Sequence, residues 1–203
     1  MLGPKEKKER ALGTRLFLKG ERCSSPKCVM VRRPSRPGMH GKKRRQLSDF
    51  ARQLQEKQKI QISFGLRDRQ MQNLFKDLAS KKGLSGSQLL SLLERRLDNV
   101  VFRLGLAASR IIARQAVSHG HILVNGRKVT VPSYRVRAKD KISVRPASRQ
   151  KKIFEELSVS LKKYEPPVWL KLDKDNLVGE VMGDPEQEGI GLDPNLVMEY
   201  YSR

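Results

Sequence analysis

The sequence predicts an α+β protein: a helical domain, a second domain of short helices and a small antiparallel sheet, and a basic arm ahead of both. Three observations predict it. Apolar residues recur at helical spacing from Leu47 to Leu104. The pattern then shortens to β-like runs around Asn125-Gly126, the strongest short hairpin signal, because a type I′ turn needs positive φ at both positions. Residues 1–46 are punctuated by Pro4, Pro26, Pro34 and Pro37 and by five glycines, and they close on Lys42-Lys43-Arg44-Arg45.

In chain order, residues 1–46 read as an extended arm that a partner alone holds in place. Leu16-Phe17-Leu18 and Val29-Met30-Val31 are apolar clusters that a purely solvated tail would lack. Ser48 is the expected N-cap of a helix carrying Leu47, Phe50, Ala51 and Leu54. After a break at Gly65, Met71, Leu74, Phe75, Leu78 and Ala79 form the stripe of a second helix ending near Gly83. A third is expected from Ser85 or Ser87 through Leu89, Leu93, Leu97, Val100, Val101 and Leu104, stopped by Gly105. Ser109 caps a short helix with Ile112, Ala113, Ala116 and Val117 on one face, and Gly120 ends it. Strands follow at Ile122 to Val124, Lys128 to Val131 and Lys141 to Arg145. Ile153, Leu157 and Leu161 mark a helix that Pro166-Pro167 stops, and short β-like pieces surround Trp169, Leu170, Leu172 and Val181. Residues 183–195 read as loop, and Leu196 to Tyr201 are apolar enough to dock.

The charge is lopsided. Lys and Arg number 43 against 21 Asp and Glu, for a net +22. By segment the net is +11 over residues 1–50, +5 over 51–100, +10 over 101–150 and −4 over 151–203. So large an excess repels itself and calls for a polyanionic partner. A basic membrane-surface helix would confine its cations to one face, whereas here they cover an arm and a whole domain, so nucleic acid leads. The longest run without a charged residue is 12 residues, Gln115 to Gly126, short of the roughly 18 that a membrane span needs. With two cysteines there is no disulfide framework, and a cytoplasmic location is expected.

Residues 101–150 hold 11 basic side chains and one acidic one. Arg110 and Arg114 lie one helical turn apart and project from one side, at a helix start whose N–H groups favour anions. The hairpin adds Arg127 and Lys128 just past its tip, with Asn125, His119 and His121 alongside; Arg103, Tyr134 and Arg135 complete the set. Such groups on linked elements suit the phosphates and edges of a folded RNA read by shape. Aromatics are too few for a single-strand stacking platform. Cys23 and Cys28, with His40 beyond, fall short of the four ligands of structural zinc, so free thiols are expected. No Walker, HExxH or GxSxG motif occurs. Arg96-Leu97-Asp98 matches the catalytic tripeptide of RNA pseudouridine synthases by letters, but it falls inside a helical stripe and reads as surface or structural. No enzyme is expected.

The run Arg95-Arg96-Leu97-Asp98-Asn99-Val100-Val101-Phe102-Arg103-Leu104-Gly105, followed by Ser109-Arg110, Ala113-Arg114-Gln115, His119-Gly120-His121 and Val124-Asn125-Gly126, closely resembles the RNA-binding domain of bacterial small-subunit ribosomal protein S-four. Leu18 to Cys23, Arg32 to Gly41, Leu47 to Phe50, Glu56 to Lys59 and Glu199 to Arg203 are similar to the same family, so the resemblance spans nearly the whole chain. It implies a basic arm at 1–46 and a helical domain at 47–94 completed by 183–203. Between them are inserted an RNA-binding domain at 95–157 and its extension at 158–182. It implies a primary 16S rRNA binder at a multi-helix junction that nucleates assembly of the subunit body. Contact with ribosomal protein S-five, a part in translational accuracy and a place beside incoming mRNA are implied as well; some members repress their own mRNA. The rRNA-binding set then extends to Arg32, Arg33, Lys42, Lys43, Arg44, Arg45, Lys57, Lys59, Arg67 and Arg69. Many relatives carry an earlier C-x2-C pair that completes a zinc knuckle. Glu6 and Glu9 hold that spacing here, so Cys23 and Cys28 read as its remnant, with no metal and no cofactor expected.

Overall fold

The computed structural model describes residues 5–43, 46–80, 85–155, 157, 161, 164–185 and 191–202. The chain forms two units, residues 1–89 with 190–203, and residues 90–189.

In the first unit, the segment expected to be an extended arm is folded on itself. It forms three short helices, α1 (Lys5–Leu12), α2 (Glu21–Ser24) and α3 (Val29–Arg32). Leu12, Leu16, Leu18, Cys23 and Cys28 are buried, and Glu9 is buried with them. The Glu9 Oε1 atom accepts the backbone N–H groups of Leu16 at 3.0 Å and Leu18 at 3.3 Å. Both amides converge on one oxygen because Phe17 between them adopts φ 53°. A non-glycine residue in that region costs about 1–2 kcal/mol, and two bonds to a buried carboxylate offset it. Gln55 then donates to the Leu12 carbonyl at 2.6 Å, tying the segment to the helix that follows. An apolar cluster and a carboxylate with local donors thus hold the segment together.

Ser48 starts α4 (Asp49–Ser63) as expected, its Oγ accepting the Ala51 N–H at 3.3 Å. Gly65, at φ 63°, turns the chain into α5 (Asp68–Ala79), whose Met71, Phe75 and Leu78 face inward. The stop assigned to Gly83 lies outside the described residues.

The second unit begins within α6 (Gly86–Glu94) and continues into α7 (Leu97–Arg103). The single long helix expected here is two helices, because Arg96 is extended and bridges Arg135. The Tyr134 and Pro132 carbonyls accept the Leu97 and Asp98 N–H groups at 2.8 and 3.2 Å. A loop more than thirty residues later thus satisfies the first free donors of α7 and makes a separate helix start affordable.

Next come α8 (Arg110–Ser118), capped by Ser109, and strands β1 (Ile122–Val124), β2 (Arg127–Lys128) and β3 (Lys141–Val144). The return strand is shorter than the expected Lys128 to Val131, since the chain leaves the ladder to bring Pro132 and Tyr134 to α7. Beyond a short 3-10 turn (Pro146–Ser148) lies α9 (Lys152–Glu155); Leu157 and Leu161 are buried in the core, and the rest of the helix expected there lies outside the described residues. Strands β4 (Leu170–Asp173) and β5 (Val178–Val181) complete an antiparallel sheet of order β2-β1-β3-β5-β4. The fully buried Leu97, Val100 and Val101 of α7, with Leu104 at its C-cap, pack with Ala113 and Ala116 of α8 and with Ile122 and Ile142 of the sheet. Gly179 on β5 lets Leu104 approach so closely that a Cβ would fall 2.4 Å from its Cδ1.

The last helix, α10 (Pro194–Tyr201), belongs to the first unit and packs on α4. Val197 is fully buried, Gln53 donates to Glu199 at 2.9 Å, and the Phe75 and Tyr201 rings stack at 4.1 Å. Lys57 lies under this helix, paired with Asp68 at 2.5 Å and 4.8 Å from the Tyr200 ring centre.

Candidate nucleic-acid interface

The hairpin of the second unit is built to hold its tip rigid. Asn125 and Gly126 have φ 49° and 77°, the pair of positive values a type I′ turn requires. The Asn125 amide donates to Asp140 Oδ1 at 2.8 Å and accepts the Lys141 N–H at 2.9 Å. Asp140 also accepts the Arg137 N–H at 2.7 Å. Asn125, expected among the RNA contacts, therefore works inside the fold, fixing the tip that presents Arg127 and Lys128 to solvent.

Asp140 is the one carboxylate between residues 101 and 150, and it is buried. Arg127, Lys128, Arg135, Arg137, Lys139, Lys141, Arg145 and Arg149 are all exposed. This stretch therefore shows solvent eight basic side chains and no acidic one. A field of one sign in low-dielectric surroundings concentrates a polyanion and raises its association rate.

Around the turn from α8 into β1, Lys128 lies so close over Gly120 that a Cβ there would meet its Cε at 2.3 Å. His119 is exposed, and His121 is buried with its Nδ1 3.0 Å from Ser148 Oγ. Burial, then the charges of Lys151, His119, Arg145 and Lys128, push the His121 imidazole below its ordinary value. Those same charges mark a cationic cluster in which Arg145 and Lys151 are newcomers. The run after β3 folds back beside β1, with Arg145 N–H donating to the His121 carbonyl at 2.8 Å. The low acid content of residues 101–150 was the available signal for Arg137, Lys139, Lys141, Arg145 and Arg149.

Arg103 and Arg110 turn the other way. Buried Glu94 accepts Arg103 through Nε and Nη2, both at 3.0 Å, and accepts Asn99 Nδ2 at 2.6 Å. Asn99 Oδ1 in turn accepts Arg110 Nε at 2.7 Å, and the Arg110 guanidinium lies 4.7 Å from the Phe102 ring centre. Burial lowers Arg110 to about 10, against the pull of Glu94, yet it stays charged at neutral pH. Arg114, one turn along α8, is half-buried. Tyr134 and Arg135 are exposed, and their backbones serve the α7 start and the Arg96 bridge. The tripeptide Arg96-Leu97-Asp98 is structural: Arg96 grips Asp98 through Nε at 3.2 Å and Nη2 at 2.8 Å, both residues buried.

In the first unit Arg32, Arg33, Lys42, Lys43, Arg67 and Arg69 are exposed, while Arg44 and Arg45 lie outside the described residues. Lys57 is buried, and Lys59 is half-buried and bonded to Glu56 at 2.5 Å. Burial works against the Lys57 charge, but the bond to Asp68 and the nearby tyrosines outweigh it and hold the ammonium above its ordinary value. Cys23 and Cys28 are free, buried thiols, and burial pushes the Cys23 thiol up. Among the described residues no group of three or more His, Cys, Asp or Glu could hold a metal ion, and no helix is long and apolar enough to cross a membrane.

Comparison with known proteins agrees with this architecture. A model of the family described as "Ribosomal protein S4/S9 N-terminal domain" matches residues 1–94, and one described as "S4 domain" matches residues 95–142. The small ribosomal subunit protein uS4 of Thermus thermophilus is 49% identical, covering 100% of this chain and 98% of its own. The uS4 proteins of Gloeobacter violaceus and Caldicellulosiruptor bescii are 47% and 46% identical, over 99% and 100% of this chain and 98% of each relative. With two family models matching residues 1–142 without a gap and relatives this similar along its whole length, the chain belongs to the uS4 family of small ribosomal subunit proteins.

Proposed function

We propose that this chain is a structural, non-catalytic component of the cytoplasmic small ribosomal subunit that binds 16S rRNA directly at a multi-helix junction and nucleates assembly of the subunit body. One observation carries the reading: between residues 101 and 150 every exposed charge is positive, on elements pinned to one another by the Asn125–Asp140 lock and the five-stranded sheet. The exposed arginines and lysines of the first unit add a second set of phosphate donors. The segment 151–203, net −4, serves neighbouring proteins, an S-five relative among them, and contributes through them to translational accuracy. The mRNA entering the subunit is a further partner of the exposed cations.

Hydroxyl-radical footprinting of purified protein on 16S rRNA tests this. The expected result is one protected junction that survives moderate salt. Diffuse protection, lost in parallel with that of an unrelated RNA, overturns the reading. Buried Asp98 gives no support to an RNA-modifying enzyme, and rRNA modification is expected to be unchanged in Asp98→Asn.

A further inference from the structure

The zinc knuckle implied by resemblance to the family would occupy the N-terminal segment, and the residues here do not fit it. Glu6 and Glu9 stand at the spacing of its first cysteine pair, ahead of Cys23 and Cys28. Each carboxylate is already held by donors. Glu9 Oε1 takes the Leu16 and Leu18 N–H groups, and Glu6 Oε1 takes Lys19 Nζ at 2.9 Å with Arg22 Nε at 3.4 Å. Cys23 Sγ accepts the Lys19 N–H at 3.4 Å. These surroundings suit anions. Converging backbone N–H groups make a concavity that attracts negative charge, and an ammonium and a guanidinium add to it. A cation placed there would face the positive ends of the dipoles that now hold Glu9.

We propose that the Glu9 carboxylate, seated in the Leu16–Leu18 amide concavity, organises the N-terminal segment in place of a metal ion. The positive φ of Phe17 belongs to the same device, since it brings the two amides onto one oxygen. Folding of residues 5–43 is then indifferent to zinc supply and to chelators. This inference is independent of what RNA the protein binds.

The test uses the purified full-length chain. Metal content is measured by plasma mass spectrometry, cobalt(II) is titrated in as a probe for thiolate coordination, and hydrogen exchange is read at the Leu16 and Leu18 amides. The expected results are zinc well below one per chain, no thiolate-to-cobalt absorption, and exchange unaltered by chelator. Glu9→Gln should speed exchange at both amides at least tenfold, and Glu6→Gln should do so far less. Should Glu9→Gln fail to fold, Glu9→Asp, which keeps the charge but withdraws the oxygen, takes its place in the same measurement. About one zinc per chain whose removal exposes those amides overturns the proposal. Unchanged protection in the Glu9 variants overturns it equally.

Discussion

Replacing Arg110 by alanine separates the two roles an arginine in this unit can have. Its side chain is 14% exposed, donates to Asn99 Oδ1 at 2.7 Å and lies over the Phe102 ring. A hydrogen bond from a charged donor contributes about 1.5–3 kcal/mol, and the ring contact about 0.5–1 kcal/mol. Loss of both should lower the stability of the second unit by about 2–4 kcal/mol, with Asn99 Oδ1 left to find another donor. Trp169, the only tryptophan, is buried in that unit, so its fluorescence during urea unfolding reports the change without interference from the first. From the sequence, alanine at Arg110 and Arg114 would flatten the salt dependence of RNA binding, by roughly 0.7–0.9 per lost phosphate contact. The Glu94 network predicts instead that Arg110→Ala leaves that slope at its wild-type value. A variant of normal stability with a slope lowered by about one contact would refute the reasoning and return Arg110 to the RNA face.

Arg127→Ala with Lys128→Ala should do the reverse: both are exposed, so stability should stay within about 0.5 kcal/mol, while the salt slope of 16S rRNA binding falls by roughly 1.4–1.8. Over a fourfold rise in salt the wild type should then lose roughly tenfold more affinity than the variant, as filter binding would show. Gly179→Ala should cost about 1–3 kcal/mol by the same fluorescence assay, because its Cβ would press on fully buried Leu104. His121 gives a pH dependence of known sign. Its folded value is depressed, so below pH about 6.5 the unfolded chain takes up the proton first. The contribution is present above that pH and lost as pH falls toward the folded value; His121→Asn should flatten the fall of the urea midpoint below pH about 6.5.

What the sequence made legible was local. The Ser48 and Ser109 caps, the Asn125-Gly126 turn and the inward stripe of Met71, Phe75 and Leu78 each depend on neighbours within a few residues. What it hid depends on distant partners. The break at Arg96 exists because carbonyls of Pro132 and Tyr134 reach α7, and no periodicity within 85–105 encodes that. The arm read as extended and held by a partner because Glu9 counts as a surface charge until Leu16 and Leu18 are seen to bond it. The same blindness affects Arg103 and Arg110, which match the expected cationic set in type and spacing but face Glu94. Arg145 and Lys151 were missed for the opposite reason, since only the pairing of β1 with β3 brings them beside His121.

The central claim is that the exposed cations of residues 101–150, whose one carboxylate is buried, engage a defined site on 16S rRNA. Its most direct test is footprinting of the wild-type chain and the Arg127→Ala/Lys128→Ala variant on 16S rRNA across a salt series. The account predicts one protected junction, with the variant losing protection at lower salt while remaining fully folded. Equal protection by both proteins at every salt concentration, or none confined to a single junction, would contradict it.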